Sequence, residues 1–125
     1  MKRILCIDDS PMRFRVFYLK ASKLGIQLLI TDHPDTVRWV LDYPVLDAPL
    51  IGICLDHDMP GRDARKMAVE LLGPWNIPVA IVSNNYDGAR ILGHILDEFA
   101  VPNRAFPAST GGPEWVDSIL EWFNA

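Results

Sequence analysis

Cysteine is scarce: only Cys6 and Cys54 occur among 125 residues, each inside an apolar run. No CxxC pair or Cys–His zinc spacing is present, so buried, reduced thiols are expected. No stretch reaches the roughly 18 uninterrupted apolar residues of a membrane span. The apolar run after Lys2-Arg3 meets Asp8-Asp9 too early for a secretory signal, which makes a cytoplasmic protein the expectation. Positive charge is in deficit, with 12 Lys+Arg against 16 Asp+Glu and a net charge of −4. That balance argues against general nucleic-acid binding, which needs a basic surface to replace counterions. The deficit is uneven: six basic residues against Asp8 and Asp9 give +4 through Lys23, and six against fourteen give −8 beyond it. Walker A, GxGxxG and nucleophile-elbow strings are also missing.

Half of the residues are apolar, and four Trp and five Phe are enough for a real core. Residues 1–125 therefore read as a single domain with no separate output domain. Short apolar runs alternate with segments of helical period. Strands are expected at Arg3–Ile7, Ile26–Thr31, Leu50–Leu55, Pro78–Val82 and Arg104–Phe106. The first helix should start at Ser10 as cap with Pro11 behind it, and turn Met12, Val16 and Leu19 to one flank. A second follows Pro34, with Val37, Val40 and Leu41 inward, and a third covers Ala64–Leu72. The fourth, Gly88–Phe99, should bury Ile91, Leu92, Ile95, Leu96 and Phe99. The last starts at Gly112-Pro113 and buries Val116, Ile119, Leu120 and Phe123. Five strands and five helices in alternation imply an α/β fold, a five-stranded parallel doubly wound sheet covered on both faces. Ligands of such sheets sit beyond the carboxyl ends of the strands.

The polar residues cluster at those ends. Asp8 and Asp9 follow the first strand, Asp56-His57-Asp58 the third, and Ser83-Asn84-Asn85 the fourth. The first, third and fourth strands are usually neighbours in this architecture, so these residues should converge. Four carboxylates on one patch repel each other unless a cation is present. Oxygen donors without a His–Cys cluster point to Mg²⁺, with Mn²⁺ or Ca²⁺ as alternatives. A metal that neutralises phosphate oxygens allows a carboxylate to attack phosphorus. Asp8 and Asp9 are expected as metal ligands, Asp56 as ligand or nucleophile, and Asp58 as ligand or acid–base group, with His57 as an alternative activator of water. Ser83 and Asn85 would position phosphate oxygens. The plainer reading is that strand-end Asp and Ser residues cap turns and helices. A calcium loop does not fit, because Pro60 and Met67 fall on ligand positions. A haloacid-dehalogenase-like enzyme would place its D-x-D near the chain start.

The combination of Asp8-Asp9, Asp56-His57-Asp58-Met59-Pro60-Gly61-Arg62-Asp63-Ala64 and Ser83 resembles the receiver domain of response regulators over essentially the whole chain. That resemblance implies the flavodoxin-like receiver fold, strand order 2-1-3-4-5, with Asp56 as phosphorylatable aspartate. Asp8 and Asp9 would hold Mg²⁺, with the backbone carbonyl of Asp58 as a further ligand. One departure stands out: the Lys that receivers carry after the fifth strand is replaced by Ala105 or Phe106, and no Lys follows Lys66. Arg104 is a candidate substitute. Leu55-Asp56-His57-Asp58 with Ser83-Asn84-Asn85-Tyr86-Asp87-Gly88 further resembles the cyclic-phosphate-processing receiver-like family. Val82 stands where that family has His, and Arg13 corresponds to its Arg after the acidic pair. This second resemblance implies a metal-dependent phosphoesterase acting on cyclic phosphates. The alternatives are a stand-alone receiver phosphorylated on Asp56 in a phosphorelay, and a non-catalytic pseudo-receiver that binds a protein partner.

Trp115 and Trp122 lie seven residues apart on the last helix, off its inward stripe. They suggest a surface for a protein partner or a homodimer; packing along the core edge is the alternative.

Overall fold

Successive side chains of β1 (Lys2–Ile7) face opposite sides of a sheet, and both sides are apolar. Ile4 and Cys6 enter one core layer, Leu5 and Ile7 the other. Such double burial requires helices on both faces. The computed structural model, which describes residues 1–107 and 114–124, has that architecture. β1, β2 (Ile26–Thr31), β3 (Leu50–Leu55), β4 (Val79–Val82) and β5 (Asn103–Phe106) form one parallel sheet. Its order is β2-β1-β3-β4-β5, as expected. α1 (Arg15–Lys23) and α5 (Glu114–Asn124) cover the face that holds Ile4 and Cys6. α2 (Pro34–Asp42), α3 (Ala64–Met67) and α4 (Tyr86–Glu98) cover the other. No helix among the described residues is long and apolar enough to cross a membrane.

Cys6 and Cys54 are register partners on β1 and β3, both buried and free, as their apolar settings implied. β3 passes beneath α5 at Gly52, where an added Cβ would lie 2.5 Å from the Phe123 ring. Only glycine permits that approach.

The first helix departs from expectation. Pro11–Phe14 form a 3₁₀ turn before α1, and the Ser10 side chain makes no cap hydrogen bond. The tighter turn changes the phase of α1 behind it. Phe14, Phe17 and Ala21 are buried, whereas Met12, Val16 and Leu19 are exposed. After Met67 the third helix widens into a π-type turn over Ala68–Leu72, closed by Gly73 N–H donating to the Ala68 carbonyl at 2.7 Å. α4 starts two residues before the expected Gly88, because Asn85 caps it through Oδ1, which accepts from Gly88 N at 2.9 Å. Leu92 and Leu96 are buried as expected, but Phe99 is exposed and lies along Gly73. The expected start of the last helix, Gly112-Pro113, lies outside the described residues; Val116, Ile119 and Leu120 are buried as expected.

Both α5 indoles pack within the chain. Trp115 lies 6.1 Å, between ring centroids, from Phe14 and from Phe17. Trp122 lies 5.9 Å from Phe106 and 5.4 Å from Phe123. Each is partly buried against the α1–α5 core layer, which is the core-edge alternative.

Candidate metal and phosphate site

Backbone hydrogen bonds continue the sheet one residue past β1 and β3. Asp8 N donates to the Thr31 carbonyl at 3.1 Å, and Asp56 N to the Ile7 carbonyl at 3.0 Å. These bonds hold two carboxylates side by side at neighbouring strand ends, each residue only 2 % exposed. Asp9 stands outside them in solvent. One oxygen from each of Asp8, Asp9 and Asp56 lies within 4.8 Å of the others, a spacing that one cation can bridge. Asp8 Oδ1 accepts from Ser10 N at 2.8 Å, and Asp56 Oδ1 accepts from Asp58 N at 3.2 Å. Asp56 Oδ2 is buried with no hydrogen-bond partner. A buried carboxylate oxygen without a partner is costly, and a hard cation is the group that satisfies it. The donor set therefore fits Mg²⁺, and equally Mn²⁺ or Ca²⁺.

Burial drives the electrostatics. It pushes the Asp8 carboxyl up to about 6, helped by the neighbouring Asp56 charge and opposed by the Ser10 amide and Arg13. Burial likewise raises Asp56, against the Asp58 amide and Arg13. The Arg13 guanidinium reaches both, with Nη1 3.1 Å from Asp8 Oδ2 and 3.4 Å from Asp56 Oδ1. The cationic side chain of this site thus comes from the turn after β1. Phe106, one of the two residues expected at the place of a receiver lysine, ends β5. It is 5 % exposed and faces the α1–α5 layer. Arg104 does not substitute for that Lys: its guanidinium rests 5.2 Å over the Phe106 ring, and it pairs with no carboxylate among the described residues.

Asp58 parts from Asp56. Its carboxylate is exposed and lies outside the three-carboxylate group. Asp58 Oδ1 meets His57 Nδ1 at 2.8 Å and accepts from Asn85 Nδ2 at 3.3 Å. The His57 hydrogen bond holds the Asp58 carboxyl below the usual range. This geometry offers no support for the Asp58 side chain as a metal ligand; among the bonds it makes, orienting His57 is the principal one. His57 lies along the start of α4, where a Cβ on Gly88 would stand 2.5 Å from its Nδ1. With Nδ1 engaged, Nε2 is the ring nitrogen with no hydrogen-bond partner among the described residues. Ser83, 7 % exposed at the end of β4, accepts from Asn85 N at 3.0 Å through Oγ.

The strand-end residues therefore form two adjoining groups. Asp8, Asp9, Asp56 and Arg13 make one; His57, Asp58, Asn85 and Ser83 make the other. His33 and His94 are exposed and form no hydrogen bond with either group, His33 serving as cap of α2.

No protein-family model matches the sequence, and no curated protein matches it significantly. Solved structures do match in shape. The response regulator TrrA from Thermotoga maritima, solved with Mg²⁺–BeF, aligns with a TM-score of 0.70 at 14 % identity, covering 98 % of this chain and 99 % of that one. The chemotaxis protein CheY4 of Vibrio cholerae aligns with a TM-score of 0.73 at 11 % identity, covering 98 % of both chains. The receiver domain of the TMAO respiratory response regulator TorR gives 0.72 at 15 % identity, covering 98 % and 96 %. At these identities the likeness is one of fold: the chain has the receiver fold, with an acidic cluster suited to a metal at the carboxyl ends of its strands.

Proposed function

We propose that this chain is a divalent-metal-dependent phosphoesterase that processes cyclic phosphates. The observation that carries the proposal is the Asp58–His57 pair beside the acidic cluster, with Nδ1 held and Nε2 free. A carboxylate that fixes one imidazole nitrogen sets the other to take or give a proton. Asp8, Asp9 and Asp56 would hold Mg²⁺ or Mn²⁺. When bound, the ion would neutralise phosphate oxygens and so favour attack at phosphorus. Arg13 supplies a further positive charge to the same oxygens. The Ser83 hydroxyl and, on exchange of its bond to Asp58, the Asn85 Nδ2 would hold the phosphate from the β4 side. His57 moves the proton that ring opening requires, to the leaving oxygen or from the attacking water. The L-D-H-D resemblance supports the cyclic class of substrate.

The experiment is turnover of 2′,3′-cyclic and 3′,5′-cyclic nucleotides and of ADP-ribose cyclic phosphate with Mg²⁺ or Mn²⁺. Ring opening is expected with at least one of them. His57→Gln should lower kcat by about 10²–10⁴-fold, the usual contribution of a general acid–base group. Absence of turnover with all of them would sink the proposal.

The unpartnered Asp56 Oδ2 favours a second reading, a receiver phosphorylated on Asp56. Phosphoramidate plus Mg²⁺ would then give a labile adduct that Asp56→Asn abolishes, while cyclic phosphates remain intact. A pseudo-receiver that only binds a protein would show neither result and no metal affinity.

A further inference from the structure

Away from the acidic cluster, near the amino end of β1, Arg3 sits inside an apolar strand and is 7 % exposed. Its Nε donates to the Ala48 carbonyl at 2.7 Å, and no carboxylate among the described residues lies within ion-pair distance. The two Nη groups have no hydrogen-bond partner among those residues. The residue is nine-tenths buried, yet its Nη groups are not sealed from solvent; a guanidinium so placed, with no counter-charge beside it, is open to an anion that takes the place of water. Arg3 lines two adjoining cavities between β2, α2 and the segment that leads into β3, of about 360 and 270 Å³. They share Arg3, Val40 and Val45 as a common wall. Among the described residues, Arg3 is the only charged one lining either of them. The larger is otherwise apolar apart from neutral Gln27, Thr31 and Thr36, with Trp39 on its wall. Trp39 is 61 % exposed and gives the wall of the larger cavity its aromatic surface.

We propose that this cavity is a binding site for a small organic monocarboxylate with an aromatic or branched aliphatic body. With Nε committed to Ala48, the two Nη groups still form a fork that matches a carboxylate. One positive charge among neutral walls suits a monoanion and leaves a phosphate dianion half compensated. The cavity volume falls in the range of small-ligand pockets, and its apolar walls take the ligand body. The site is independent of the acidic cluster, and its occupancy needs neither metal nor phosphate chemistry.

The test is titration of the full ¹⁵N-labelled chain with phenylacetate, indole-3-acetate and 3-methylbutanoate, with phenylacetamide and phenyl phosphate as matched controls. At least one acid is expected to bind saturably, shifting the amides of Arg3, Leu29, Trp39 and Val45. Phenylacetamide and phenyl phosphate should bind at least tenfold more weakly than phenylacetate. Arg3→Gln removes the charge but also the tether to Ala48 and so risks the fold. Thr36→Trp, at an exposed position lining the opening, fills the cavity without touching the core and should abolish binding. Failure of all three acids to bind at millimolar concentration, equal affinity for acid and amide, or shifts that map elsewhere overturns the proposal.

Discussion

At Asp8 a carboxyl normally ionised near pH 4 holds its proton to about 6 because it is buried. The folded form thus binds that proton more tightly than the unfolded chain does, and stability falls as pH rises from about 4 through 6. The metal-free protein should lose on the order of 3 kcal/mol from this group across that window, read as a falling denaturation midpoint. Asp8→Asn should flatten the slope. Added Mg²⁺ requires the carboxylate form, so its stabilising effect should be larger at pH 7.5 than at pH 5. A midpoint that rises with pH in metal-free buffer would contradict this account. Gly88 sets a second residue-scale expectation. Gly88→Ala drives a Cβ into the His57 ring, so it should cost about 1–3 kcal/mol and release Asp58 from its imidazole. The Asp58 carboxyl would then titrate higher, as followed by carboxyl-carbon NMR. The acidic set was legible in the sequence because it sits directly at strand ends, where chain direction fixes the location. The parting of Asp56 from Asp58 was not, since only the fold reveals that the His57 ring lies along Gly88. Nor was Arg3: an arginine within Lys2–Ile7 reads as surface charge until β2, α2 and the loop into β3 close around it.

Helix ends carry the next scale. Just past the C-cap of α4, Phe99, stands Ala100, the one non-glycine among the described residues with positive φ, at 57°. Its N–H donates to the Asp97 carbonyl and that of Val101 to the Leu96 carbonyl, a reversal that usually places glycine there. Ala100→Gly should therefore stabilise the protein by about 0.5–1 kcal/mol, because relief of strain exceeds the added chain entropy. At the other end of α4, Asn85→Ala should cost about 1 kcal/mol through loss of the cap. Asn85→Asp should retain the cap but replace the donor to Asp58, 3.3 Å away, with a like charge. Chemical denaturation of the three variants separates these effects. Strands and the register of α2 and α5 were legible because their periods run uninterrupted. The inward face of α1 was not, because a 3₁₀ turn of four residues shifts the phase by an amount that no apolar pattern announces.

Across the whole molecule, two core layers clamp the sheet, and the thiols of Cys6 and Cys54 lie at the boundary of β1 and β3 with no exposed surface. Burial also pushes the Cys6 thiol up. Both should react with a disulfide reagent only as fast as the protein opens, and at once in denaturant. Rapid labelling of the native protein would show that the sheet opens locally. Strand order followed from strict strand–helix alternation, whereas the direction of Phe106 into the α1–α5 layer became clear only from the fold. The four-residue turn after β1 has a consequence for measurement. Arg13 points from it to Asp8 and Asp56, and the next residue, Phe14, inserts beside Trp115. A cation entering the carboxylate cluster competes with Arg13 and so tugs the ring that touches this indole. Trp115 is thereby a built-in optical reporter. In a variant that retains it as the sole tryptophan, emission should shift as Mg²⁺ is added and stay constant once Asp8 is changed to Asn.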